Sequence, residues 1–232
     1  MNHRPFLKSI VLLCLGGILA LAALHAAVPP GYRGLPFEDA VHRTGMPNIP
    51  GIVQCALYDL GGEGIAYHDT DTTNNGSAKL NLEPGHQKAH ASAYIWNFRR
   101  DEGVDLSYVK DGADLRHTNL VSPGINQLYL GWTAEGEWVN YTVNVSQPGT
   151  YRISSLYSFQ TNTVTFDVNG APAATCRLPI QTASYHHWNY APIGTITFTS
   201  PGPQLLTFHY GKGNNFAYFV FERMELAKEG QP

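Results

Sequence analysis

The sequence predicts an all-β protein, an antiparallel sandwich or barrel with long loops. From about residue 52 onward, short segments with a two-residue alternation recur at roughly 10-residue spacing, separated by turn-forming residues. Outside the N-terminal leader, no stretch of a dozen residues keeps a 3.6-residue apolar repeat. With 232 residues, 43% of them hydrophobic, the chain is long enough for one domain with a substantial core.

The first 27 residues have the layout of a secretory signal peptide. Arg4 and Lys8 precede an apolar run over 10–24, and small residues follow the run. This run is shorter than the roughly 20 residues of a membrane-spanning helix, although an uncleaved signal anchor is the alternative. We therefore expect a secreted, periplasmic or cell-surface protein without a stable membrane span after cleavage. Residues 28–48 are rich in Pro and Gly and are expected to form an extended tether.

The strands are clearest in the second half of the chain. Val139, Tyr141 and Val143 alternate with polar residues, as is typical of a half-buried strand. The dipeptide Asn169-Gly170 favours a tight hairpin turn, because both residues tolerate positive φ. Strands are predicted over 137–145, 151–159, 163–168, 195–199, 205–210 and 216–224.

The strand pattern weakens between residues 70 and 123, where turn-forming residues, histidines and charges are mixed. We expect long loops laid over the edge of the sandwich, which is where binding residues often lie. The sandwich is expected to extend over 49–227, with 228–232 as a short tail.

The charge balance argues against a nucleic acid partner. Fifteen Lys and Arg residues face 18 Asp and Glu residues, and the basic residues never cluster, so nothing would neutralise a phosphate backbone. A charge-neutral ligand fits this composition better, and we expect the protein to be a monomer.

Two cysteines remain after cleavage of the leader. Cys55 and Cys176 both lie in strand-like segments. They could form one disulfide in an oxidising compartment, or they could be two buried thiols.

Aromatic residues in two places are candidates for ligand contact. Trp138 falls on the face of its strand opposite Val139, so it is either covered by a loop or offered to a ligand. The segment 185–190, which contains Tyr185 and Trp188, lies between two strands and concentrates aromatic rings. Its two adjacent histidines point in opposite directions in an extended chain, which makes a shared metal ion unfavourable and an aromatic platform the better interpretation.

The last loop places two amides beside flexible glycines, ahead of the final strand. Asn214 and Asn215 there either close a turn by bonding the backbone or supply a paired donor and acceptor to hydroxyl groups.

Four ordered segments resemble the family 6 carbohydrate-binding modules. These segments are Ile49-Pro50-Gly51-Ile52-Val53-Gln54, then 58–69, then Asp101-Glu102-Gly103-Val104-Asp105-Leu106, then Gly131-Trp132-Thr133-Ala134-Glu135-Gly136-Glu137-Trp138-Val139-Asn140-Tyr141-Thr142-Val143. The likeness runs from about residue 49 to 221, with longer stretches than usual over 76–96 and 110–126. It implies an antiparallel jelly-roll β-sandwich of galactose-binding-like shape.

The resemblance also implies a sugar site. In that family two aromatic rings clasp a sugar in a cleft at the loop end of the sandwich, and an Asn in the last loop hydrogen-bonds it. The matching positions are Trp138 for the first ring, Tyr185 for the second with Trp188 as its trailing partner, and Asn215 for the amide. Glu137 follows the same motif and is expected to touch the cleft.

Many relatives carry a structural calcium, whose ligands include a Glu in the first strand and an Asp in the last. The matching positions are Ala56 and Ala217, and only Gln54 remains nearby. Calcium needs several oxygen ligands. We therefore expect no cofactor, with this calcium site lost or weakened.

The leading interpretation is a secreted, non-catalytic protein that binds a sugar of a poly- or oligosaccharide. A glycosidase is an alternative, since carboxyl pairs occur at Glu135 and Glu137, at Glu63 and Asp69, and at Glu102 and Asp105, but nothing in the sequence marks any of them as an acid. A second alternative is an adhesive sandwich that holds a protein partner.

Overall fold

The structure is a computed structural model that describes residues 31–225. The predicted signal peptide and the predicted tail lie outside these residues. In the described range, no helix is long and apolar enough to cross a membrane. The strands found there are β1 (Asn48–Ile49), β2 (Gly51–Gln54), β3 (Tyr67–His68), β4 (Leu106–Tyr108), β5 (Leu128–Leu130), β6 (Trp138–Val145), β7 (Gly149–Phe159), β8 (Thr163–Val168), β9 (Ala171–Arg177), β10 (Trp188–Phe198), β11 (Gly202–His209) and β12 (Asn214–Arg223).

The strands form two six-stranded sheets. The first has the order β1-β6-β11-β8-β9, with β3 also pairing with β6. The second has the order β10-β7-β12-β5-β4, with β2 also pairing with β12. The predicted all-β sandwich is confirmed. Its strand pairs are antiparallel except for β1 with β6, a parallel pair that the sequence did not indicate.

The alternation predicted for β6 is confirmed on its core side. Val139, Tyr141 and Val143 are all buried. On the other side, Asn140 and Thr142 are buried as well, because a preceding segment covers them. The Thr142 hydroxyl donates to a carboxylate oxygen of Asp59 at 2.6 Å, and the Asn140 amide donates to a backbone carbonyl at 2.8 Å. This strand is therefore closer to fully buried than its sequence pattern indicates.

The core between the sheets is rich in phenylalanine. The rings of Phe208 and Phe219 are 4.7 Å apart in an edge arrangement, and Phe166 stacks on Phe208 at 5.1 Å. These residues come from β8, β11 and β12, so they join the two sheets. Aromatic pairs of this kind add stability beyond the area that they bury.

Residues 31–48 pack against the sandwich along an irregular path. Leu35 and Leu60 exchange two backbone hydrogen bonds, at 2.9 and 2.7 Å. The Tyr32 hydroxyl donates to Asp59 at 2.5 Å, and Phe37 belongs to the buried core. The described part of the segment predicted to be an extended tether is therefore attached to the domain.

Cys55 and Cys176 are free and buried. Of the two alternatives that the sequence left open, the structure has the pair of buried thiols. Burial raises the pKa of the Cys176 thiol to about 11, so this group is a poor nucleophile at neutral pH.

The long loops between residues 70 and 123 contain short helical turns at Asn75–Lys79, Leu80–Leu82, Ala93–Trp96 and Asp111–Leu115, and the strand β4. The side-chain oxygen of Asn74 holds the first turn by accepting from the amides of Ser77 at 2.8 Å and Leu106 at 3.0 Å. These bonds tie the loop that precedes β4 to that strand.

Candidate functional site

One cavity brings together two exposed aromatic rings and an amide. It forms where the loops after β5 and before β10 meet the start of β12, and its volume is about 280 Å³. The residues that line it are Leu80, His86, Lys110, Ala113, Tyr129, Trp132, Tyr185, His186 and Asn215.

Trp132 is the first exposed ring. It follows β5 and is 41% exposed. Its φ of 48° is a conformation that bulky residues rarely adopt. Strained backbone of this kind is often found at functional sites. The indole lies beside Gly76, because a Cβ at that position would be 3.1 Å from the ring.

Tyr185 is the second exposed ring, at 42% exposure. Its ring centroid is 4.4 Å from that of Phe159, the last residue of β7. Its backbone carbonyl accepts from the Ser158 hydroxyl at 2.6 Å and from the Asn215 side-chain amide at 2.8 Å. The loop backbone is therefore held on β7 and β12 while the phenol remains accessible.

Asn215 supplies the amide of the cavity. It is 4% exposed, and its Nδ2 is used by the bond to the Tyr185 carbonyl. Within residues 31–225 its Oδ1 accepts no hydrogen bond, and that oxygen is not among the fully buried atoms. It is thus available to a hydroxyl placed in the cavity.

One wall of this cavity is formed by two long loops. The first long loop, between β3 and β4, contributes Leu80 and His86, and the second long loop, between β4 and β5, contributes Lys110 and Ala113. Asp114, which is fully buried, belongs to the second long loop and fixes it against the segment 185–190. Its Oδ1 accepts from the Trp188 indole at 2.9 Å and lies 3.0 Å from Nδ1 of His186, and its Oδ2 accepts from the Lys110 amide at 2.8 Å. The rings of His117 and His187 also stack across this contact, 3.8 Å apart.

Trp138 does not line this cavity. It lies beside Tyr32, Arg33 and Ile65 in a separate depression, and its ring is 6.3 Å from that of His68. The expectation that Trp138 and Tyr185 face one cleft is therefore corrected. The pairing of Trp138 with His68 and His209 holds it on the outer side of β6, whereas Trp132 belongs to the loop that precedes the strand.

Trp188 and Asn214, two further candidates, are fully buried and do not line the cavity. Trp188 packs its ring 5.3 Å from that of Tyr129 and donates its indole N–H to Asp114. The Asn214 amide donates to the carbonyls of Ser158 at 3.0 Å and Gln160 at 2.8 Å. Both positions shape the loops, which corrects their assignment to the cleft.

Glu137 is also buried and outside the cavity, which corrects the expectation that it touches the cleft. Its Oε1 accepts from the Thr70 hydroxyl at 2.7 Å, and its Oε2 accepts from the Ala134 amide at 2.8 Å.

Two aspartates lie in the same charged environment. Burial raises the pKa of Asp69 and of Asp105 to about 7, and the charge of Glu137 adds to the effect on each.

We expect Asp69→Asn to remove part of the pH dependence of stability. The folded carboxyl keeps its proton up to about pH 7, whereas the unfolded chain ionises near 3.8, so its contribution to stability falls as the pH rises between these values. The Asn oxygen can keep the bond from the Asp71 amide, now 3.0 Å. Denaturant unfolding should therefore show the variant gaining stability relative to the native protein between about pH 4 and pH 7.5.

The matched control is Asp101→Asn, because the Asp101 side chain is 95% exposed. Its stability difference from the native protein should stay near zero at each pH. A difference for Asp69→Asn that is equally flat would show that this carboxyl is not buried as described.

The positions that correspond to the calcium ligands of relatives do not fit a calcium ion. The side chains of Ala56 and Ala217 are buried methyl groups and offer no oxygen ligand. The Gln54 side-chain oxygen already accepts from the Gln127 amide at 2.9 Å. Among residues 31–225, no group of three or more His, Cys, Asp or Glu is arranged to hold a metal ion.

The sequence reasoning missed Trp132 and Lys110 as cavity residues. Trp132 stands inside the segment 131–143 that carried the resemblance, one residue beyond a glycine that follows the buried strand β5. That position was a usable signal. The positive φ of Trp132 and the approach of Lys110 from a long loop depend on tertiary contacts, and neither has a local pattern.

Comparison with known proteins gives one family match. Residues 105–225, just over half of the chain, match the family described as carbohydrate binding module (family 6). No curated protein sequence matches the chain.

Solved structures with similar folds include carbohydrate-binding modules and enzymes. The module CsCBM6-3 from Clostridium stercorarium, in complex with cellobiose, is 11% identical, with 78% of this chain and 99% of that chain covered and a TM-score of 0.47. A module of lichenase 5A from Cellvibrio mixtus, in complex with cellotriose, is 19% identical, with 53% and 98% covered and a TM-score of 0.39. An isomalto-dextranase from Arthrobacter globiformis, complexed with panose, is 22% identical, with 52% and 21% covered and a TM-score of 0.38.

Proposed function

This chain belongs to carbohydrate binding module family 6, and from that membership we propose that it is a secreted, non-catalytic monomer that binds a sugar of a poly- or oligosaccharide. Trp132 and Tyr185 hold the sugar ring, and Oδ1 of Asn215 accepts from one of its hydroxyls. Trp132 takes the role that the resemblance of the sequence motifs implied for Trp138. The leader over 1–27 supports export.

The observation that carries the proposal is that Trp132 and Tyr185 line one cavity and are each exposed over about two-fifths of their surface. Large aromatic side chains are otherwise mostly covered in a folded protein. A pyranose has an apolar C–H face and a rim of hydroxyls. The aromatic rings remove the apolar face from water, and the amide oxygen accepts a hydrogen bond from a hydroxyl of the rim.

The expected affinity is modest. If each ring hides about 50 Å² of sugar, the pair contributes on the order of 2 to 3 kcal/mol before ordering costs. That corresponds to dissociation constants of roughly micromolar to millimolar once hydrogen bonds are added. The cavity volume of about 280 Å³ is at the small end of ligand sites and suits a single ring or a chain end.

The lining of the cavity favours binding without catalysis. A glycosidase needs two carboxyl groups that face the scissile bond, and none of the residues that line this cavity is acidic. The carboxyl groups considered from the sequence have other partners. Glu102 pairs with Arg99, and Glu63 bonds His68.

The test is binding of the purified protein to a panel of insoluble polysaccharides and to a glycan array. We expect retention on at least one glycan and no release of reducing sugar from any polymer that is bound. Release of reducing sugar would favour the glycosidase alternative. Failure to bind any glycan, with capture of a protein ligand instead, would favour the adhesive alternative and contradict the proposal.

We expect chelation of divalent cations to leave the stability and the sugar affinity of the protein unchanged. Alanine stands at both calcium positions, and the side-chain oxygen of Gln54 already accepts a hydrogen bond from Gln127. The melting temperature with excess EDTA should stay within about 1 °C of that with millimolar calcium, since a ligand stabilises only the state that binds it. Sugar affinity should also be the same in both buffers. A calcium-dependent rise of several degrees would show that another site binds the ion.

A further inference from the structure

The cavity is lined by a buried lysine that forms no ion pair within the part of the chain that the structure describes. Lys110 is 4% exposed and lines the cavity wall. Its ammonium donates to Oδ1 of Asn81 at 3.1 Å, to the Ser107 hydroxyl at 3.0 Å and to the Tyr108 carbonyl at 3.3 Å. It also lies 4.0 Å from the centroid of the Tyr108 ring. All of these acceptors are uncharged.

No carboxylate in residues 31–225 forms an ion pair with this ammonium. Asp114 accepts from the backbone amide of Lys110, but its oxygens are used by that amide, by Trp188 and by His186. Burial lowers the pKa of Lys110 to about 8, and the more distant charge of Asp114 offsets only part of this effect. A buried cation is costly unless an opposite charge accompanies it.

The rest of the cavity lining also lacks a carboxylate. The titratable side chains on the cavity surface, besides two tyrosines, are Lys110, His86 and His186, and none of the lining residues is acidic. Neutral sugar hydroxyls are satisfied by amides and hydroxyls and do not require a buried ammonium. The slightly acidic composition of the whole chain gives no hint of a lysine in this lining.

We propose that the saccharide held between Trp132 and Tyr185 is acidic, and that its anionic group, a carboxylate or a sulfate ester, is bound by the ammonium of Lys110. This inference rests on the proposed function and specifies the substrate class of the same site. The three N–H donors of this ammonium are used by Asn81, Ser107 and Tyr108, so the anion takes the place of the longest of these bonds, the one to the Tyr108 carbonyl at 3.3 Å. The new bond is charge-assisted and adds a second negative charge to the partial compensation by Asp114.

The test is calorimetric titration of the purified protein with matched methyl glycosides in the gluco and galacto series, each as the neutral sugar, the uronic acid and the 6-sulfate. We expect at least one acidic form to bind about tenfold or more tightly than its neutral counterpart, as a charged hydrogen bond allows. The uronate and sulfate arms identify the source of the charge. Equal or weaker binding of all acidic forms would overturn the inference and leave sugar binding intact.

Lys110→Met should abolish the preference for the acidic form while keeping the weaker neutral binding. Lys79→Met is the matched control, because Lys79 is exposed and, among residues 31–225, its ammonium donates to Oδ1 of Asn75 alone. It removes the same charge outside the cavity and should keep the preference. Retention of the preference in a folded Lys110→Met variant would overturn the assignment.

If Lys110→Met does not fold, the native protein decides the matter. Raising the salt concentration from about 0.05 M to about 0.5 M should weaken binding of the acidic sugar several-fold and leave neutral binding unchanged. Equal salt dependence for both sugars would contradict the inference. Failure of neutral and acidic glycosides alike, together with the polysaccharide panel, would overturn the proposed function itself.

Discussion

Trp132→Ala should weaken binding of the saccharide about tenfold or more. Removing the indole exposes about 50 Å² of the sugar face, which corresponds to a loss of roughly 1.3 kcal/mol before any change in hydrogen bonding. The side chain is 41% exposed, so the variant should fold with nearly native stability. Titration with whichever glycan the native protein retains measures the effect.

Trp138→Ala is the matched control for this experiment. It removes the same side chain from the same stretch of sequence, but from the depression beside Tyr32 and Arg33. We expect its affinity to stay within about twofold of native, because the ring lines no part of the cavity. Loss of binding in Trp138→Ala with full binding in Trp132→Ala would restore the assignment made from sequence and refute the site proposed here.

Gly76→Ala should destabilise the protein by about 2 to 4 kcal/mol, in the range of severe overpacking. A Cβ at Gly76 would lie 1.9 Å from the backbone oxygen of Leu106 and 3.1 Å from the Trp132 ring. Backbone atoms of a strand cannot move as a flexible side chain can, so the helical turn must retreat from β4. Denaturant unfolding measures the loss, and sugar affinity should fall with it because Trp132 loses its support.

Gly112→Ala is the control for this substitution. A Cβ at Gly112 meets no atom within 4 Å, and its φ is not in the left-handed region. Its stability should stay within about 0.5 kcal/mol of native. A similar small effect for Gly76→Ala would show that the first long loop does not approach β4 as closely as described.

Alternation of side chains predicted six of the twelve strands found in the described range. One of these six, β10, begins earlier than predicted, at Trp188, inside the segment 185–190 that was expected to lie between strands. The strand β6 and the hairpin turn at Asn169-Gly170 were anticipated because each depends on short-range rules, the two-residue period and tolerance of positive φ. The strand β4 was missed inside the long loops. It has three residues, too few to display a period, and it is defined by its pairing with β5.

The candidate site was predicted in part. Tyr185 and Asn215 were selected from their loops and do line one cavity. The choice of Trp138 over Trp132 was wrong because the two tryptophans lie close together in the sequence. Only the path of the chain decides which of them lines the cavity with Tyr185. Burial of Trp188 likewise depends on Asp114, which accepts a hydrogen bond from its indole. Asp114 lies far away in the sequence, so no local pattern around Trp188 indicates this contact.

The sequence by itself determined the class of fold, the family and the set of loops in which ligand contacts are expected, because periodicity, turn residues and ordered motifs are local properties of a chain. Only the tertiary structure decided which tryptophan faces the cavity, and that the long loops form its wall with Lys110. The physical reason is that a cavity is made of surfaces from segments distant in sequence, and their meeting is fixed by packing and by buried hydrogen bonds.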